Sequence, residues 1–153
     1  MNQDSLTRIG WREWIGLPDL EIRSVKAKID SGARSSSLHA FLIEPFERDG
    51  ASWVRFDVHP RQRNDRLIRH CEAIVLDRRK VRSSNGLVSD RFVIRTTLDW
   101  KGHRYPIELT LANRDAMGFR MLLGREALRN RFLIDTGRSF LGGRPAGKTR
   151  RNT

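Results

Sequence analysis

Sulfur chemistry is nearly absent from this chain, which carries one cysteine, Cys71, in 153 residues. A lone thiol cannot close an internal disulfide, so the fold must rest on its apolar core, and a reducing, cytoplasmic compartment is the expected one. No uninterrupted apolar run approaches the roughly 18 residues of a membrane helix, and the opening MNQDSLTRIG lacks the apolar stretch of a secretion signal. A soluble protein with no membrane partner is expected. The four histidines are spread along the chain and form no H-E-x-x-H pair, so no metal-binding motif is legible. Acidic residues are scarce too: eighteen Asp and Glu stand against thirty Lys and Arg, a net charge of +12. That imbalance suits an anionic partner, and a merely solvated basic surface is an equal reading for charge scattered along the chain. An acidic protein or peptide suits it better than nucleic acid, because no aromatic-basic platform of a known nucleic-acid motif is present.

What is present reads as strands. With 38% apolar residues the chain can build one core. In SWVRFDVH the apolar Val54, Phe56 and Val58 alternate with Arg55, Asp57 and His59, and in RYPIELTL the residues Tyr105, Ile107, Leu109 and Leu111 do the same. Between these segments Asn85-Gly86 is the dipeptide that most readily takes the two positive φ angles of a type I′ turn, so a long hairpin with its tip near residue 85 is expected. Trp100-Lys101-Gly102-His103 marks a second turn, and REALRN after Gly124 supplies one short helix. The fold class is all-β with one short C-terminal helix. Residues 1–144 form the expected domain, and 145–153 a basic tail whose composition predicts disorder.

Two Asp triplets compete for chemistry. Asp30-Ser31-Gly32-Ala33 follows a strand and precedes another, LHAFLI, while Asp135-Thr136-Gly137 lies near the end. Two carboxylates about 3 Å apart cannot both ionise, so a shared-proton pair can act on water and on a carbonyl oxygen together. Such chemistry needs Asp on a tight turn, a neighbouring hydroxyl, and Gly where backbones approach. An ordinary Asx turn joining two strands is the plainer reading of the same triplet. Context favours catalysis at Asp30, because MLLGREAL at 121–128 offers a strand ending in apolar-apolar-Gly with a helix after it.

The order of Asp-Ser-Gly-Ala, hairpin, then apolar-apolar-Gly-Arg resembles the retropepsin-like aspartic proteases. More narrowly, IGWREWIGLP, KIDSGARSSSLHA, VRSSNG, LANRDAMGFRMLLGREAL and SFLGGR resemble the bacterial retropepsin-like family that carries the label ATP-dependent zinc protease. The resemblance spans about residues 8–144. It implies a small closed β-barrel with a flap hairpin, and Asp30 as the catalytic carboxylate on a loop shaped by Ser31, Gly32 and Ala33. Ser83, Ser84, Asn85 and Gly86 become the flap that contacts substrate, with Arg34 lining the cleft beside it. A single catalytic loop per chain implies a homodimer in which two Asp30 side chains meet on a two-fold axis. Association with ATP-grasp ligases that add glutamate is a further implication, and a basic cleft containing Arg34, with Arg114 or Arg125 as further candidates, would suit an acidic or glutamate-modified peptide, although an Arg in a Gly-Arg-helix motif is as often structural. Only eighteen residues follow Asp135, too few for a second flap, pinning strand and helix, so Asp135 is assigned to a terminal strand. The rival function is a non-catalytic module that binds an acidic protein partner or RNA.

The label's ATP and zinc find little support in the residues. GGRPAGKT at 142–149 matches a phosphate-loop pattern, but only RRNT follows to build the helix such a loop requires. His70 and Cys71 are adjacent, so in a strand they point to opposite faces, Cys71 into the core and His70 outward. His39, nine residues after Asp30, is the one histidine placed near the cleft, as a packing or hydrogen-bonding residue. No cofactor and no metal ligand is expected.

Overall fold

The computed structural model describes residues 6–61, 67–82, 86–113 and 118–145. Among the described residues, eleven strands, a 3-10 turn and one α-helical turn follow in order: β1 (Thr7–Gly10), β2 (Arg12–Leu17), the 3-10 turn (Pro18–Leu20), β3 (Ile22–Asp30), β4 (Ser36–His39), β5 (Phe41–Arg48), β6 (Ala51–Val58), β7 (Arg69–Arg82), β8 (Val88–Trp100), β9 (His103–Ala112), β10 (Met121–Gly124), α1 (Arg125–Leu128) and β11 (Phe132–Asp135). Six of them close into a barrel in the order β2-β3-β10-β4-β9-β8, with β2 meeting β8 at Gly16 and Asp99. Beyond β8 the sheet continues outward as β7, β6 and β5. Closure leaves the barrel strands no free edge to template another chain.

The two-residue periodicity translates directly into the core. Val54, Phe56 and Val58 of β6 are buried, as are Tyr105, Ile107, Leu109 and Leu111 of β9. Ile15, Leu17, Val25, Ala27, Leu38, Ile94, Leu98 and Leu123 have no exposed surface, and side chains of the Leu and Ile type each contribute about 1.5–3 kcal/mol on burial. Trp100 pairs with His103 across Lys101 and Gly102, whose φ values of 47° and 81° are those of a type I′ turn. The long hairpin is β7 with β8, paired as far as Arg82 and Val88. Gly86 has φ 85°, while Ser83, Ser84 and Asn85 lie outside the described residues.

One charged residue of the alternating REWIGL segment points inward. Glu13 is fully buried, and no ion pair among the described residues neutralises it. Its Oε2 accepts from the amides of Gly10 at 2.7 Å and Leu141 at 2.9 Å. Its Oε1 accepts from the Trp100 indole and from the Gly142 amide, both at 3.1 Å. Four donors replace water, which lets a carboxylate sit in the interior. They also tie together the start of the barrel, the end of β8 and the segment after β11. Gly142 lies against the Trp100 ring so closely that a Cβ would strike the indole nitrogen.

Glu13→Gln is the sharpest probe of this latch. In either amide orientation the NH2 group faces two N–H donors, so unfolding in denaturant should show a loss of about 2 kcal/mol or more. Unchanged stability would mean that the four bonds contribute nothing net.

Candidate active site

Asp30 is the last residue of β3, and its neighbours explain why the chain turns there. Residues 27–30 pair in parallel with 121–124 of β10, which sets Asp30 opposite Gly124. Past Asp30 the chain leaves the ladder, and the carboxylate Oδ1 accepts the Gly32 amide at 2.8 Å while the Asp30 carbonyl accepts the Ala33 amide at 3.2 Å. The carbonyls of residues 31 to 34 then have no strand to pair with. The beginning of α1 takes all four: the Arg125 amide donates to Ala33 at 2.8 Å, the Glu126 amide to Arg34 at 3.1 Å, and the Arg125 guanidinium reaches Ser31 at 3.2 Å and Gly32 at 3.4 Å. Amides of a helix's first turn are free to do this because they lack intrahelical acceptors. Arg125 thus faces the loop's backbone, the structural one of the two roles open to an Arg in a Gly-Arg-helix motif. Arg114 lies outside the described residues.

Gly124 is required by this contact. A Cβ there would come within 2.9 Å of the Ala33 carbonyl oxygen and closer still to that of Ser35, while the Gly124 amide donates to Ser36 Oγ at 3.0 Å. Behind the helix, the Tyr105 hydroxyl donates to the Ala127 carbonyl at 2.8 Å, and the Arg131 guanidinium stacks 3.6 Å from the Tyr105 ring. Burial raises the Tyr105 phenol to about 12, so it stays a protonated donor.

The second triplet has the same local turn in a different setting. Gly137 donates its amide to Asp135 Oδ1 at 3.0 Å, matching Gly32 and Asp30. Asp135, however, closes β11, which pairs in parallel with β1, and its other oxygen meets Arg8 at 3.2 Å. The segment is a terminal strand, as its sequence position suggests, and what separates the two Asp residues is the clamp around them.

Arg34 to Ser36 form one wall of a cleft of about 740 Å³ directly after the Asp30 loop. Arg79 of β7, Arg95 and Val93 of β8, Glu108 and Thr110 of β9, and Glu126 and Arg131 around α1 line the rest. Arg34 Nε pairs with Glu126 at 3.1 Å, and Arg79 Nε with Asp77 at 2.9 Å. Arg79, Arg95 and Arg131 escape a reading of the sequence because they converge from separate elements. For Arg95 alone a local signal exists, since it holds an outward position opposite Glu108 in the alternating β8–β9 ladder.

The metal-ligating side chains are engaged apart from one another. His59 stacks on Phe41 at 4.4 Å, His70 bonds Asp57 at 2.6 Å, and His103 packs edge-on against Phe132 at 5.0 Å. His39 lies 6.4 Å from Phe41, ring to ring. Cys71 is buried with its thiol raised to about 12 by desolvation, unsuited to the thiolate a metal requires, whereas His70 is exposed. Among the described residues no three His, Cys, Asp or Glu side chains converge as a metal would need. In the GGRPAGKT segment, the Gly142 amide is committed to Glu13. Residues 146–153 of that segment and the tail lie outside the described residues.

Among small closed barrels, one Asp-Ser-Gly-Ala loop clamped by an apolar-apolar-Gly strand and a helical turn defines the retropepsin-like class. Residues 8–145 match the RimB-like family model, described as retropepsin-like aspartic endopeptidase RimB, and the chain belongs to that family. The chain is similar to a "Probable alpha-L-glutamate ligase" of Shewanella halifaxensis, 50% identical over 132 residues, covering 86% of this chain and 29% of that protein. A protein of the same name from Parasynechococcus marenigrum is 51% identical over 127 residues, covering 83% of this chain and 27% of its own length. The chain therefore spans less than a third of these curated relatives. Among solved structures, the protein Lpg0085 of unknown function from Legionella pneumophila superposes with a TM-score of 0.74 at 27% identity, covering 90% of this chain and 99% of that one.

Gly124→Ala tests the clamp. Relieving the clash must move the backbone of residues 33–35, so the variant should lose about 1–3 kcal/mol of stability. Amide exchange at Gly32 and Ala33 should quicken with it. A variant of native stability and native exchange would show that the loop does not depend on this approach.

Proposed function

We propose that the protein is an aspartic peptidase in which Asp30 of two copies forms a shared-proton pair. One ionised Asp30 carboxylate takes a proton from water as the oxygen attacks the peptide carbon, while the other, protonated, gives its proton to the carbonyl oxygen. Collapse of the tetrahedral species returns a proton to the leaving nitrogen as the C–N bond breaks, with no covalent intermediate. The observation that carries this reading is the fixed Asp30 loop, with every carbonyl from Ser31 to Arg34 bonded to the start of α1, in a chain of the retropepsin-like family. One such loop per chain supports a two-fold dimer. Ser31, Gly32 and Ala33 shape the loop, and the hairpin tip at Ser83 to Gly86 closes over the bound peptide.

Acidic or glutamate-modified chains are the proposed substrates, in the cytoplasm. The net charge of +12 and the arginine cleft beside Arg34 support that preference. So does the company the unit keeps, for relatives named as glutamate ligases contain it within a longer protein. A functional link to a glutamate ligase is part of this proposal. In the described residues no helix is long and apolar enough to cross a membrane. A purely binding role for the same basic surface, toward an acidic protein or RNA, is the alternative, and turnover separates the two.

Asp30→Asn should reduce hydrolysis of a glutamate-rich peptide by several powers of ten, on the order expected when an essential proton-transfer group is lost, whereas Asp135→Asn should stay within a small factor of wild type. Equal losses in two folded variants would overturn the choice of Asp30. Sedimentation of the pure protein at micromolar concentration should give a dimer, and an active monomer would contradict the shared pair.

A further inference from the structure

The arginine-lined cleft begins at Arg34, four residues after Asp30, and takes in residues of β7, β8 and β9 and the surroundings of α1. Four cations border it, each from a different part of the chain: Arg34 after the loop, Arg79 on β7, Arg95 on β8 and Arg131 after α1. Two carboxylates, Glu108 and Glu126, are interleaved among them. Charges converging on one point would suit a single phosphate. Here four cations from separate elements border a cleft of about 740 Å³, more room than one phosphate needs, which suits a series of carboxylates on an extended peptide, where alternate side chains recur about every 7 Å. Glu126 holds Arg34 at 3.1 Å in an exposed pair, with side chains 74% and 49% accessible. Such a pair is readily exchanged for another carboxylate. Arg95 and Arg131 are in no ion pair among the described residues, and Arg131 is held over the Tyr105 ring at 3.6 Å.

We propose that this cleft is an exosite that binds carboxylate side chains of an acidic peptide several residues away from the bond held at Asp30. Glu126 occupies the place of a guest carboxylate on Arg34 until the peptide displaces it. The position of the cleft relative to a cut bond rests on the peptidase reading, but binding in it needs no turnover. Glu126 and Glu108 give the empty cleft its own counter-ions, so four arginines can face one another without a ligand. A longer acidic chain meets more of the four arginines and gains affinity with length.

The test uses full-length protein carrying Asp30→Asn, which cannot consume its ligand, and fluorescently labelled octaglutamate and octaglutamine peptides. Octaglutamate should bind and octaglutamine should not. Adding Arg95→Ala and Arg131→Ala should weaken octaglutamate at least about tenfold and flatten the salt dependence of its affinity, with thermal unfolding unchanged. Glu126→Gln should tighten binding several-fold, a gain that a merely structural role for Glu126 would not give. Equal affinity after loss of both arginines, equal binding of octaglutamine, or displacement of the peptide by micromolar inorganic phosphate would each overturn the exosite. If the wild type cleaves no peptide while this binding pattern holds, the peptidase reading falls and the exosite stands. Cleavage of octaglutamate together with unaltered binding in the arginine variant has the reverse meaning.

Discussion

Four backbone carbonyls, those of Ser31, Gly32, Ala33 and Arg34, set the terms for the rest of the site. They leave the β-ladder where the chain must turn to present Asp30; Ser31, Gly32 and Arg34 are exposed and Ala33 half-buried, so pairing them to one helical turn fixes the loop's shape where water could otherwise have met the same acceptors. The first residues of α1 supply the donors, two through amides and two through the Arg125 side chain. That solution fixes much else. It requires β10 to run parallel beside β3, so that Gly124 ends opposite Asp30, and it requires glycine at 124 because the loop's carbonyls lie against it. It also requires α1 to be held still, which Tyr105 does from β9.

The barrel's closure rests on a separate device with the same logic. Glu13 brings the residues after β11 back onto the end of β8 and the entrance of β2, using backbone amides in place of a counter-charge. The glycines at 142 and 143 that begin the phosphate-loop-like pattern belong to this closure: Gly142 packs on Trp100, and Gly143 takes φ 94° and donates its amide to the Phe140 carbonyl.

Local features were legible in the sequence because their physics is local. Alternation in β6 and β9, the Lys101-Gly102 turn, the single helical turn after Gly124 and the outward and inward faces of His70 and Cys71 all follow from residues within a few positions of one another. The Asp30 loop was legible through its spacing to MLLG. Interactions between distant segments were not. Alternation in REWIGL puts Glu13 on the face of Ile15 and Leu17, but nothing near it in sequence reveals most of the donors, from residues 10, 100, 141 and 142, that let a carboxylate sit there. Arg125 was open to a cleft or a structural role because its partners, Ser31 and Gly32, are more than ninety positions away. The cleft arginines are dispersed among thirty Lys and Arg, and only the fold distinguishes the four that converge.

A catalytic pair divided between two copies has a consequence no single-chain enzyme shares. When wild-type protein is exchanged with an excess of Asp30→Asn chains, most wild-type chains end in mixed dimers that hold one competent carboxylate. With an about ninefold excess, total hydrolysis should fall to about a tenth of that of the wild-type protein alone, following the fraction of dimers with two Asp30 residues. Hydrolysis undiminished by the added chains, with exchange verified by mass-labelled subunits, would show that each chain cuts by itself and would contradict the shared pair.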